Sequence, residues 1–256
     1  MKKILLAAGV ILFGFQLHAQ TLGEILGGVE KVTGIKTPGT NPNSSNGNID
    51  LSGLSSSEVS TALKQALNLG VEEGIEKLSA KDGYFKNELV KILMPEELRK
   101  VESTLRSFGL SSLADEGVKL FNRAAEDAVT EAAPIFADAI TSMTFDDAKT
   151  ILLSGDNAAT HYLENKTSSR LFNAFEPKVQ ASLGKVGADK VWNKLITSYN
   201  MFTGKSVTTD LNQYVTQQAL DGVFKMVAAK ESGIRNNAVF RTTSVLQDVF
   251  GALDKK

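Results

Sequence analysis

Residues 55–78 read SSSEVSTALKQALNLGVEEGIEKL. The opening is a helix start: Ser55 stands as N-cap, and Glu58, three residues on, is placed to reach back to it as a capping box. Val59, Ala62, Leu63, Ala66, Leu67, Gly70, Val71, Gly74, Ile75 and Leu78 then recur at helical spacing, one continuous apolar stripe. Within the stripe Ala62, Ala66, Gly70 and Gly74 fall every fourth residue. Such a ridge has almost no side chain and lets a second helix approach closely, which outweighs the roughly 1 kcal/mol that each glycine costs in propensity. Close core packing is the first expectation for this ridge, and space for a ligand or partner helix the second.

Downstream the helical pattern repeats. Asp82-Gly83 marks a turn. Pro95 is expected at the first position of a helix with Leu98, Val101 and Leu105 inward. A longer helix from about Ser112 carries Leu113, Gly117, Leu120, Phe121, Ala124 and Ala128, until Pro134 kinks or restarts it. Ile135, Phe136, Ala139, Ile140 and Met143 continue the apolar side. Thr144, followed by Asp146-Asp147, caps a short helix to Leu153. Gly155-Asp156 is expected to end that helix and cap another over 157–165. Thr167 or Ser168 then caps a helix with Leu171, Phe172, Phe175, Val179 and Leu183, containing Pro177. Val191, Trp192, Leu195, Ile196 and Tyr199 form a further face. Asp210 opens a helix that is apolar over a wide arc, hence central in the bundle. The last helix is expected over 238–250. No strand-like alternation competes and no repeat of fixed period occurs. The reading is an all-α, single, bundle-like domain of about ten helices over 51–256.

Upstream, residues 36–50 read KTPGTNPNSSNGNID, with no apolar residue before Ile49. Such a composition buries too little surface to offset its ordering entropy, so the expectation is a flexible linker. Before it, residues 20–35 form an N-terminal arm, with a short helix over 21–33 weakened by Gly27 and Gly28. Residues 1–19 have the three parts of a secretory signal: Lys2-Lys3, the apolar run Ile4 to Phe15, and Leu17-His18-Ala19. Twelve apolar residues rise about 18 Å, well short of a hydrocarbon core of about 30 Å. Cleavage is expected after Ala19, placing the protein in the periplasm or beyond.

Composition narrows the function. Apolar residues are 42% and charged residues 22%, enough for a core of useful size. Loss of Lys2 and Lys3 with the signal takes the formal charge from −1 to −3. That balance gives no footprint for nucleic acid or an anionic membrane surface. There is no cysteine, which removes disulfides, thiolate metal sites, a cysteine nucleophile and a lipidated anchor. His161 is the one histidine beyond the signal, so zinc is not expected, no cofactor is called for, and any serine–histidine–acid triad would have to use His161. No GxSxG elbow occurs. Gly204-Lys205-Ser206 resembles the end of a P-loop, but position 199, where the motif needs glycine, is Tyr199. Glu72-Glu73 reads as a solvated face.

One segment stands out. In Asn122-Arg123-Ala124-Ala125-Glu126-Asp127, Arg123 is three residues before Glu126 and four before Asp127, beside an alanine-rich inner face. An intrahelical ion pair is the plain reading. A polar group at the mouth of an apolar cavity is the functional one.

Several separated motifs resemble the bacterial DUF4197 family: Phe121 to Glu126, Met143 to Ala148, Gly155 to Tyr162, Tyr214 to Phe224, and Ile234-Arg235-Asn236-Asn237. The resemblance runs from about Leu51 to Phe250, with local departures at Ser154 and His161. It implies an exported helical protein of unknown function and assigns no catalytic or binding residue.

Three function classes follow. The first is a non-catalytic periplasmic binding or scaffolding protein, with an apolar small molecule between helices or an envelope-protein partner on a helical face. The second is a carboxylate-dependent envelope enzyme using Glu126, Asp156 and Asp221, with Arg123 as an anion contact; it requires two of these in one cleft. The third is a structural or stress-related envelope protein without a ligand.

Overall fold

The computed structural model describes residues 55–107, 109, 111–185, 192–193, 196–197, 200–201 and 210–254. The signal, arm and linker expectations lie outside these residues, as do those on Val191, Leu195, Tyr199 and Gly204-Lys205-Ser206, and the side chains of Leu105 and Leu113.

Helix α1 (Ser56–Ser79) begins as its sequence requires. The Glu58 amide donates to Ser55 Oγ at 3.2 Å, and the Ser55 amide donates to Glu58 Oε2 at 2.7 Å. Its small-residue ridge meets α7 (Leu211–Asn236): a Cβ added at Gly70 would lie 3.3 Å from Lys230 Cγ, and one at Gly74 3.5 Å from Met226 Cβ. The ridge therefore serves close helix packing. Helix α7 opens with Asp210 accepting from the Gln213 amide at 3.0 Å, and it packs against α1, α3 (Ser111–Ala128) and α6 (Ala158–Lys185). The wide apolar arc is explained by those three neighbours.

Between α1 and the next helix the chain makes a long non-helical excursion. Asp82 has φ 72°, and a Cβ on Gly83 would fall 2.1 Å from the Lys77 carbonyl oxygen, so only glycine fits there. Tyr84, Val90, Ile92 and Met94 are buried along this segment. Pro95 precedes a 3-10 turn (Glu96–Leu98) that leads into α2 (Arg99–Ser107). Helix α3 ends in a second 3-10 turn (Val129–Glu131), and α4 (Ala132–Thr141) restarts with Pro134 in its first turn, where the missing N–H has no intrahelical partner to lose. Helix α5 (Phe145–Leu153) carries a full capping box from Thr144 and Asp147.

Two expectations are corrected. The described residues hold fewer than ten α-helices, because 157–165 and 167–183 are one helix, α6. Thr167 and Ser168 do not cap; their hydroxyls donate back to the carbonyls of Leu163 and Glu164, four residues earlier, at 2.7 and 2.6 Å. The C-terminal helix over 238–250 is instead a 3-10 turn (Ala238–Phe240) followed by α8 (Ser244–Leu253), whose N-cap is Thr243. The regular elements among the described residues are all helical, with no strand, and none of these helices is long and apolar enough to cross a membrane.

Candidate functional site

The Asn122–Glu126 segment of α3 is a clamp on the excursion after α1. Asn122 is fully buried and binds the backbone of Ile92 at both ends: its Oδ1 accepts from the Ile92 amide at 2.9 Å, and its Nδ2 donates to the Ile92 carbonyl at 2.8 Å. Glu126, also buried, accepts the amides of Tyr84 at 3.1 Å and Phe85 at 3.3 Å on Oε1. Arg123 donates to Glu126 Oε2 and to Asp82. Hydrogen bonds from Lys86 and Arg123 hold the Asp82 carboxyl below its ordinary pKa. Tyr84 is enclosed, donates to the Ala219 carbonyl at 2.8 Å and lies against Gly222, where a Cβ would come within 2.6 Å of its ring. Burial, with the charges of Glu126 and Asp221 behind it, pushes the Tyr84 phenol well above its usual pKa. The ion pair expected between Arg123 and Glu126 is present, and its work is tertiary: Oε1 of Glu126 holds the excursion's amides, and Oε2 holds Arg123, which itself reaches Asp82.

A second cluster, which local sequence reasoning did not single out, has the same construction. Glu231 and Arg235 stand one turn apart on α7, each with a nearly buried side chain. Glu231 accepts the amides of Ala159 at 3.0 Å and Thr160 at 2.8 Å and the Thr160 hydroxyl at 2.7 Å, so it caps the N-terminus of α6 from another helix. Arg235 donates to the carbonyls of Ile151 at 2.8 Å, Leu152 at 3.3 Å and Ser154 at 3.4 Å, closing the C-terminus of α5. The sequence signals were the i,i+4 acid–base spacing and the place of Arg235 in Ile234-Arg235-Asn236-Asn237. Beyond it, buried Arg241 donates to the carbonyls of Ile234 at 2.9 Å and Arg235 at 2.8 Å and pairs with Asp254.

Of the four candidate residues, Glu126 and Asp221 both act on the Tyr84 phenol. Arg123 and Glu126 meet in the clamp. Asp156 is exposed beyond α5, 3.4 Å from Asn236 Nδ2. Asp221 sits on α7 and accepts from Gln217 at 2.9 Å. His161 is exposed, with Nδ1 3.3 Å from Glu164. Among the described residues no group of three or more His, Asp or Glu is placed to hold a metal ion.

Space is distributed in a telling way. A void over the Glu231–Arg235 pair, lined by Leu63, Ala66, Val227 and Phe250 among others, has about 10 Å³, at the lower limit for one water. The larger spaces are open to the surface. One, of about 490 Å³, lies between α1 and α4. Another, of about 310 Å³, is bordered by Ser168, Phe172, Asn173 and Gln217 on α6 and α7.

These features define an all-helical body whose buried carboxylates and arginines fasten its helix ends and the excursion after α1. The chain belongs to the DUF4197 family, described as a protein of unknown function, whose model matches residues 53–251. No curated protein and no solved structure matches the chain.

Proposed function

We propose that this is a non-catalytic binding or scaffolding protein of the bacterial envelope that works by docking a protein partner on its helical surface. The observation that carries this reading is how the buried polar groups are used. Glu126, Glu231, Arg235 and Arg241 each bind backbone groups of other segments, so they act as fasteners. An apolar ligand enclosed within the core is less well supported, since small-molecule sites take about 300–1,000 Å³ and the void beside the core residues Leu63 and Phe250 has about 10 Å³. The two larger spaces described above open to the surface. The export part of the proposal rests on Lys2-Lys3, the apolar run to Phe15 and Ala19.

Native mass spectrometry of the protein, purified gently from its host's envelope fraction, tests the reading. A mature chain starting at Gln20 with a polypeptide at fixed stoichiometry is the expected result. A small molecule at fixed stoichiometry, or a chain retained in the cytoplasm with Met1 in place, overturns it.

A further inference from the structure

The α1–α4 groove has a chemistry that selects its occupant. Its floor is apolar: Val71 is buried and Ile75 half-buried. On the α4 side it is edged by Ala133, Pro134 and Ala137, all exposed and all short, so a partner backbone can come close. On the α1 side its wall carries Glu72 and Glu76, both exposed and one turn apart.

Among the described residues no ion pair neutralises that wall. Like charges at i,i+4 are unfavourable on a helix, and a base at a neighbouring i±3 or i±4 position would relieve them. Those positions on α1 are Asn68, Leu69, Glu73, Ile75, Ser79 and Ala80. Neither Glu72 nor Glu76 has an ion-pair partner among the described residues, whereas their neighbour Glu73 is bound by Lys230 at 2.8 Å. The one base on the same ridge of α1, Lys64, lies two to three turns away and donates to the Thr141 carbonyl at the C-terminus of α4. The groove is therefore acidic at one end. Its two carboxylates repeat at the spacing of one helical turn, about 5–6 Å, which is also the repeat of side chains on a helix lying along α1.

We propose that this groove is the docking surface for an amphipathic helix of a partner protein, one with an apolar stripe flanked by two basic residues one turn apart. The proposal rests on the docking role given above and names the site and partner chemistry for it. The stripe covers Ile75, Ala133 and Ala137, and the two bases meet Glu72 and Glu76.

The test is fluorescence anisotropy of labelled model helices against the full chain. The basic probe is built from Leu, Ala and Lys with lysines one turn apart; its counterparts carry Gln or Glu in place of Lys. The basic probe should bind, the Gln probe more weakly, and the Glu probe not at all. Glu72→Lys with Glu76→Lys should weaken basic-probe binding by about tenfold or more. Ala137→Trp, which fills the groove, should abolish it. Circular dichroism and melting unchanged from the parent establish that these variants fold. A matched reversal at exposed Glu116 and Asp248 should leave binding within about twofold. Equal binding of the three probes, indifference to either groove variant, or binding of no probe overturns the assignment. So does a dimer of the parent chain, seen by light scattering, that Ala137→Trp dissolves. If a polypeptide co-purifies from the envelope and still binds the Ala137→Trp variant, the docking role stands and this groove is not its place.

Discussion

Glu231 and Arg235, paired at 2.9 Å on α7, face two different helix ends: the carboxylate takes the first amides of α6 and the guanidinium takes the last carbonyls of α5. Each charge is placed at the terminus whose dipole it complements. The pair thus joins three helices with two side chains.

Removing one member leaves the other buried without its partner, together with orphaned backbone groups. Glu231→Ala and Arg235→Ala should each lower the unfolding free energy by about 3–5 kcal/mol. The double variant should lose less than the sum, because the two single changes damage the same network. Arg235→Lys should be intermediate, since an ammonium keeps the charge but not the fork that spans three carbonyls. Urea unfolding monitored by circular dichroism measures all four.

The clamp at Glu126 makes a local prediction. Glu126→Gln keeps an oxygen for the Tyr84 and Phe85 amides and loses the charge facing Arg123, so a cost of about 1–2 kcal/mol is expected. Glu126→Ala leaves both amides unpaired and should cost more. Hydrogen exchange should accelerate first at Tyr84, Phe85 and the excursion up to Met94, before the helices respond.

Two glycines give opposite signs. A Cβ at Gly117 would lie 2.3 Å from Trp192 Cζ2, in a ring that stacks on Phe121 at 5.5 Å. Gly117→Ala should therefore destabilise by about 1–3 kcal/mol. Trp192 is the single tryptophan and is buried, so a red shift of native-state emission reports its displacement. At Gly74 the nearest atom is 3.5 Å away, an ordinary contact. There the gain in helix propensity dominates, and Gly74→Ala should stabilise by up to about 1 kcal/mol.

Alkaline pH should unfold the protein through its tyrosines. The Tyr84 phenol is raised well above 10 in the folded state by burial and by the neighbouring acids, and Tyr162 is raised by burial and Asp147. Above pH 10 the unfolded chain releases phenolic protons that the native state retains, so stability falls as pH rises. It is fully present below the unfolded value and lost through the folded one. Tyr84→Phe, which forfeits the bond to the Ala219 carbonyl, should be less stable at pH 7 and show a shallower decline above pH 10. Thermal melts across pH 7 to 11 distinguish the two slopes.

Much of the fold is legible locally. Ser55 with Glu58, Thr144 with Asp147, and Asp210 mark helix starts by themselves, because a cap is satisfied within a few residues. Thr167 and Ser168 mislead for the same reason: a hydroxyl serves equally well as a cap or as a donor to the preceding turn, and the choice falls to the packing around α6. The fasteners lie further out of reach. Glu126 bonds the chain about 41 residues away and Glu231 about 72, separations at which spacing in the sequence carries no signal. The Arg123–Glu126 pair was visible as an i,i+3 coupling, but its partners Asp82, Tyr84 and Phe85 were not. The α1–α4 groove was hidden too, since Glu72 reads with Glu73 as an ordinary solvated face until Ala133, Pro134 and Ala137 are set beside it.

The hold of α7 on both α5 and α6 changes what the link between them must do. Ser154 to Asn157 is an exposed four-residue corner with Asn157 at φ 66°, and the helices it joins are fixed from a third helix. Covalent continuity there is dispensable in principle: a chain severed between Gly155 and Asp156 should persist as two associated fragments, and the same corner is where a reporter domain is best inserted.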